Sequence, residues 1–205
     1  MTRSIEVYTA VNANVRAVGT IDLDAQALAT DNGAVPGAVA AYVVATETGD
    51  SLIHKTVLTC TALPLSVADD AGIAQYGGVK VYEFPLGLIF TAAAKMSGNL
   101  TLGATGTFID AFTGKNALGS VVATTGATLV AGEATWLQET ANATAAAKVA
   151  AISSVSIATP LASRVFDGRT TAAPMFLNFA IADDVTHTAG TGTFTGTIEF
   201  AWMKV

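Results

Sequence analysis

Across 205 residues the chain carries a net charge of −6, with 51% hydrophobic residues, 13% charged residues and a single cysteine, Cys60. Such a length can bury a core without staples, a lone cysteine excludes an internal disulfide, and ten scattered lysines and arginines offer no basic stripe to displace counterions from nucleic acid. Ala, Thr and Gly dominate, a mixture suited to closely spaced strands and to half-exposed pleated faces.

A bilayer crossing needs an apolar run of about 20 residues. The best candidates, 32–46 and 116–132, are short or threaded with Gly, Pro and Thr. The opening MTRSIEVYTAVNANVRAVG lacks a basic patch followed by an apolar block, so the expectation is a soluble, cytoplasmically made protein with no membrane partner. With so few charges, part of its surface is expected to lie against other chains.

Residues 3–11 alternate Ile5, Val7, Thr9 and Val11 against Glu6 and Tyr8, a strand pattern that Asn12 and Asn14 end. Residues 15–29 hold neither period. The segments 38–46 and 52–67 read as a hairpin around the turn Glu47-Thr48-Gly49-Asp50, with Leu63-Pro64-Leu65 marking a bulge or edge position in the second arm. Asp69-Asp70-Ala71-Gly72 reads as the next turn.

Residues 76–95 read as two strands joined at a corner. Gly77-Gly78 leaves the backbone free to turn, and Val79 and Val81 then alternate with Lys80 and Tyr82. Phe84-Pro85 stops the ladder, because proline has no N–H to donate, and Leu88-Ile89-Phe90 starts the next strand after Gly87. Ser97-Gly98-Asn99 reads as a turn before a strand over 100–109. Short strands are expected at 119–124 and 127–130.

The segment 133–151 is the exception, since Trp136, Thr140, Thr144 and Lys148 form one helical row and Leu137, Ala141, Ala145 and Val149 another. A helix, or a loop with one helical turn, is expected there. Alternation returns at 152–159, Phe166-Asp167-Gly168-Arg169 reads as a turn, and 174–181 as a strand. The clearest alternation closes the chain: Phe194, Gly196, Ile198, Phe200 and Trp202 oppose Thr193, Thr195, Thr197, Glu199 and Ala201. Turn signals every ten or so residues point to an antiparallel sandwich or barrel rather than βαβ units. A core built of Val81, Phe84, Ile89, Ile198, Phe200 and Trp202 is the expectation. No linker or repeat divides the chain; residues 1–50 read as an N-terminal arm and hairpin packed on a main β-sandwich domain over 51–205.

Residues for chemistry are scarce, and the sequence supplies no set of catalytic, cofactor-binding or metal-ligating residues. His54 and His187 lack neighbouring ligands at metal spacing, no Gly-x-Ser-x-Gly elbow is present, and Asp69-Asp70 and Asp183-Asp184 read as solvated strand ends. The glycines at 103–106 and 190–192 do not lead from strand to helix, so they make no phosphate cradle. Cys60 reads as a buried thiol; Trp202 suits the core, and Trp136 could line a sugar site or the core.

The segments HKTVLTCTALPLSV (54–67), AQYGGVKVYEFPLGLI (74–89), FDGRTTAAPMFLNFAI (166–181) and TGTFTGTIEFAWMKV (191–205) together resemble a family of tailed-bacteriophage virion proteins. The resemblance covers 54–205 and leaves the first fifty residues unmatched. It implies a jelly-roll-type capsid decoration, or cement, protein on the exterior of the virion, a structural protein rather than an enzyme. Its implied partners are the major capsid protein and itself, as a homotrimer at a capsid symmetry axis, without cofactor or nucleic acid. Unlike the family pattern, the Trp is followed by Met203-Lys204-Val205 and not by a longer acidic tail. A receptor- or carbohydrate-binding jelly roll of a virion appendage is the alternative reading.

Overall fold

A computed structural model describes residues 33–49, 53–69, 74–102, 113–124, 128–141, 149–156, 165–182 and 190–205. The expected strand at 3–11, the stretch 15–29, His187 and the Asp183-Asp184 pair lie outside them. Among the described residues are ten strands: β1 (Val43–Gly49), β2 (His54–Asp69), β3 (Ala74–Glu83), β4 (Gly87–Leu102), β5 (Thr113–Gly119), β6 (Leu137–Ala141), β7 (Val149–Ser156), β8 (Val165–Gly168), β9 (Pro174–Ala182) and β10 (Gly190–Lys204). Every pairing between them is antiparallel. Helical structure among the described residues is limited to the 3-10 turns Gly37–Val39 and Ala131–Ala134, and no helix is long and apolar enough to cross a membrane. The protein is mainly antiparallel β.

The strands make one sheet that curls on itself. One leaf runs β1, β2, β10, β4, with β8 and β7 sharing the far edge of β4; the other runs β3, β9, β5, β6. They join where Ala68 and Asp69, at the end of β2, pair with Tyr76 and Gln75 of β3. The corner expected at Phe84-Pro85 carries the chain from β3 in one leaf to β4 in the other. Beyond it the apolar sides of both leaves share one core.

That core contains the six residues expected of it: Val81, Phe84, Ile89, Ile198, Phe200 and Trp202 are all at most 2% exposed. Phe84 is its hub. Its ring lies within 5.0–5.5 Å of Trp136, Phe200, Trp202 and Tyr82, so the corner residue bridges both leaves. The alternation of β10 holds from Phe194 to Trp202, and Pro64 of β2 lies where the strand has β10 on one side and, between Cys60 and Ala68, no paired strand among the described residues on the other.

Several expectations are corrected. Over the described parts of 133–151 the helical reading gives way to a 3-10 turn and then to β6 and β7, residues 142–148 lying outside the described residues. The core takes both Trp136 and Leu137, which a helix would place on different rows, and Leu137 sits opposite Leu118 in the β5–β6 ladder. Ser97-Gly98-Asn99 is no turn, because β4 runs through it; a side chain on Gly98 (φ 157°) would strike the backbone of Thr195 and Gly196. Gly77 and Gly78 likewise lie inside β3, pressed by the Ser66 carbonyl and the Asn178 side chain. Glu47, Thr48 and Gly49 belong to β1 and not to a turn. Finally, the strand expected at 119–124 lies one element earlier, as β5. The backbone beyond Gly119 and near Val130 is drawn away from the ladder by side-chain hydrogen bonds, and Val130 is extended ahead of the turn Ala131–Ala134.

Candidate functional site

The densest polar cluster is buried where β1 meets β2 and β10. Val43 and Glu47 face inward from β1, and the register sets Glu47 opposite Thr56 and Gly49 opposite His54. The Glu47 carboxylate accepts from three side chains: His54 Nδ1 at 2.6 Å on Oε1, and Tyr82 Oη at 2.7 Å and Thr56 Oγ1 at 3.3 Å on Oε2. Thr56 Oγ1 in turn accepts from Trp202 Nε1 at 2.9 Å, and Tyr82 Oη from the Gly33 amide at 3.1 Å. Every proton in this chain points towards one carboxylate, which fixes edge strand β1 to both leaves.

Trp202 stacks on the His54 ring, with centroids 4.0 Å apart and 12° between planes. With Nδ1 held by Glu47, the buried Nε2 has no hydrogen-bond partner among the described residues. Burial, and then the adjacent Glu47 charge, push the Tyr82 hydroxyl well above its ordinary pKa, so it stays a donor. A carboxylate–imidazole couple is the orienting half of many catalytic sites. Here it is largely enclosed: His54, Thr56, Tyr82 and Trp202 are fully buried, and the Glu47 side chain is 10% exposed.

A second cluster fastens the segment after β5. Asn178 accepts from the Ala123 amide and donates to the carbonyls of Val121 and Glu133, while the buried Glu133 carboxylate accepts from Thr124 N, Thr124 Oγ1 and Val130 N. Three donors on one buried carboxylate make it a brace rather than a reagent.

The remaining sequence candidates fall as follows. Cys60 is buried, and its thiol is pushed up to about 12 by burial. Trp136 and Trp202 are both core residues, Trp136 donating to the Pro174 carbonyl at 3.1 Å, so neither presents a face to a sugar. Asp167, one residue before the end of β8, is held by Arg169 in a two-pronged pair on the surface. Among the described residues no group of three or more His, Cys, Asp or Glu could hold a metal ion.

What the described surface does offer is the outer face of the β1–β2–β10–β4 leaf. The register lines up its side chains in cross-strand rows: Val44, Thr59, Thr197, Ser97; then Thr46, Val57, Glu199, Lys95; then Thr48, Lys55, Ala201, Ala93. Hydroxyl, methyl and small apolar groups fill it. Its charges are one trio, in which Glu199 bridges Lys95 at 2.8 Å and Lys55 at 3.3 Å. The hydrogen bond from Lys95, ahead of that from Lys55, holds the Glu199 carboxyl below its usual range. Beside the trio, over Ala93 and Ala201, lies an apolar hollow of about 220 Å³. Sequence alternation predicted this outer row on β10, but the clasp beneath was missed. Its one signal was that Glu47 shares the parity of the inward Val43.

Comparison with protein-family models and with curated proteins finds no match to this chain.

Proposed function

We propose that this chain is a structural protein of a tailed-bacteriophage virion, a decoration protein of jelly-roll-type sandwich that self-associates and braces neighbouring major capsid proteins from outside the head. The observation that carries the reading is the broad outer face of the β1–β2–β10–β4 leaf, populated by Thr, Ser, Val and Ala with a single Lys–Glu–Lys trio. Small, mostly uncharged side chains allow close approach and leave a single charged trio to desolvate, which suits a surface buried against another protein. The buried carboxylates support it too, being spent on bracing the fold. Two leaves sharing one core, with chain crossings at the Phe84-Pro85 corner and at the end of β2, are consistent with the sandwich expected of the family.

In this role the protein acts by linkage, since whatever binds the closed shell and not the opened one stabilises the shell. The test is to heat heads purified with and without the protein and follow genome release. Complete heads are expected to open at the higher temperature, and depleted heads regain that value when the purified protein is added back. Equal opening temperatures would refute the bracing role. A glycan-binding role would need an exposed aromatic platform; among the described residues both tryptophans are buried and Tyr42 is the lone exposed aromatic.

A further inference from the structure

Among the described residues β1 is an edge strand, paired on one side only. Thr61 donates its amide proton to the Tyr42 carbonyl at 2.8 Å, which makes that pair a hydrogen-bonded one and, by alternation, does the same for Val44, Thr46 and Thr48 against β2. The amides and carbonyls of Val43, Ala45, Glu47 and Gly49 therefore point away from β2, and no strand among the described residues pairs with them. Edge strands usually carry a lysine, a proline, a bulge or an inward-pointing charge that blocks further pairing. β1, VVATETG, has none of the first three, and its inward charge, Glu47, is already satisfied by His54 and Tyr82. Val44 stands 64% exposed and Tyr42, just before the strand, 39%.

We propose that β1 pairs antiparallel with β1 of a second copy about a two-fold axis, extending the outer leaf across both molecules. This rests on the self-association in the proposed function and names its surface, with a two-fold contact in place of the three-fold one that the family resemblance implies. The strand is complementary to itself. Full overlap of Val43–Gly49 centres the axis on Thr46, sets Thr46 opposite its own mate and Val44 opposite Thr48 of the second copy, and places Ala45 opposite Glu47, so no like charges meet. Because the outward hydrogen bonds come from the odd-numbered residues, the Thr46 pair is a non-hydrogen-bonded one, with Cα atoms about 4.5 Å apart. That separation is within the span of a disulfide, about 4.4–6.8 Å. The two copies of Thr48 would lie about 13 Å apart along the strand.

The test combines light scattering with cross-linking of the full chain. The unmodified protein is expected to run as a dimer or an even multiple of one. Val44→Lys and Ala45→Pro, which charge the edge and remove one outward N–H, are expected to be monomers with an unchanged urea midpoint. Under mild oxidation Thr46→Cys is expected to give a disulfide-linked dimer and Thr48→Cys none, Cys60 being buried in both. A monomer at all concentrations, an odd-numbered oligomer, or equal cross-linking of the two cysteine variants would overturn the proposal. Folded edge variants that stay associated would overturn the β1 surface while leaving self-association standing. Binding of the monomeric variants to depleted heads is read separately and reports on capsid docking alone.

Discussion

Replacing Glu47 by alanine removes the acceptor at the centre of the β1 clasp. Two fully buried donors, the Tyr82 hydroxyl and His54 Nδ1, then lose bonds of 2.7 and 2.6 Å. Leaving a buried donor unmade costs about 1–3 kcal/mol each, and the 3.3 Å bond from Thr56 adds less. Glu47→Ala is therefore expected to cost about 2–6 kcal/mol. Glu47→Gln keeps one carbonyl acceptor but turns an NH₂ towards the other donors, so about 1–3 kcal/mol is expected. The assay is urea unfolding followed by tryptophan fluorescence, for which Trp202, stacked on His54, is a local reporter. A double-mutant cycle with Tyr82→Phe should show coupling of at least about 1 kcal/mol, because Tyr82 donates to the carboxylate that is removed. Additive losses, or a Glu47→Ala cost below about 1 kcal/mol, would refute the clasp as the fastening of β1.

Ala62 adopts a left-handed backbone (φ 48°) at the bulge where β2 slips against β10, its amide bonded to Thr195 Oγ1. Ala62→Gly should stabilise by about 0.5–1 kcal/mol and Ala62→Val destabilise by at least about 1 kcal/mol, both read from denaturant midpoints; the opposite order would remove the strain argument. Cys60, with its thiol raised to about 12 by burial, should resist maleimide in the native protein at pH 8 and react once unfolded. Asp167 should titrate near 2 rather than 3.8, because the Arg169 hydrogen bonds favour its charged form. Its folded value lies below its unfolded one, so its contribution is present above about 3.8 and is lost as pH falls towards 2; carboxyl chemical shifts report it, and Arg169→Ala should restore the ordinary value.

The parts of the fold legible in the sequence were those where one face is uniformly apolar. On β10, Phe194 to Trp202 keep a strict period of two, and the core takes the expected residues; β9 reads equally well. Glycine misled in both directions. Gly98 and Gly77-Gly78 look like turns in one dimension, and only the pressure of a neighbouring strand's backbone explains them as strand interior. The 133–151 segment has helical spacing by virtue of its alanines, which fit either period, and pairing with β5 decides for strand over Leu137–Ala141, where Leu137, Thr140 and Ala141 lie opposite Leu118, Asn116 and Lys115. The clasp was hidden for a different reason. Glu47-Thr48-Gly49-Asp50 has turn composition, and nothing local says that Tyr82, 35 residues on, will supply a donor. Long-range hydrogen bonds to a single charge leave no periodic trace.

The most direct measurement of the proposed role is the number and position of copies on the virion, from images of purified phage particles. The account predicts regular copies on the outer surface of the head, in fixed ratio to the major capsid protein and seated on it through the β1–β2–β10–β4 leaf. Absence from the particle, or density at the tail alone, would contradict it.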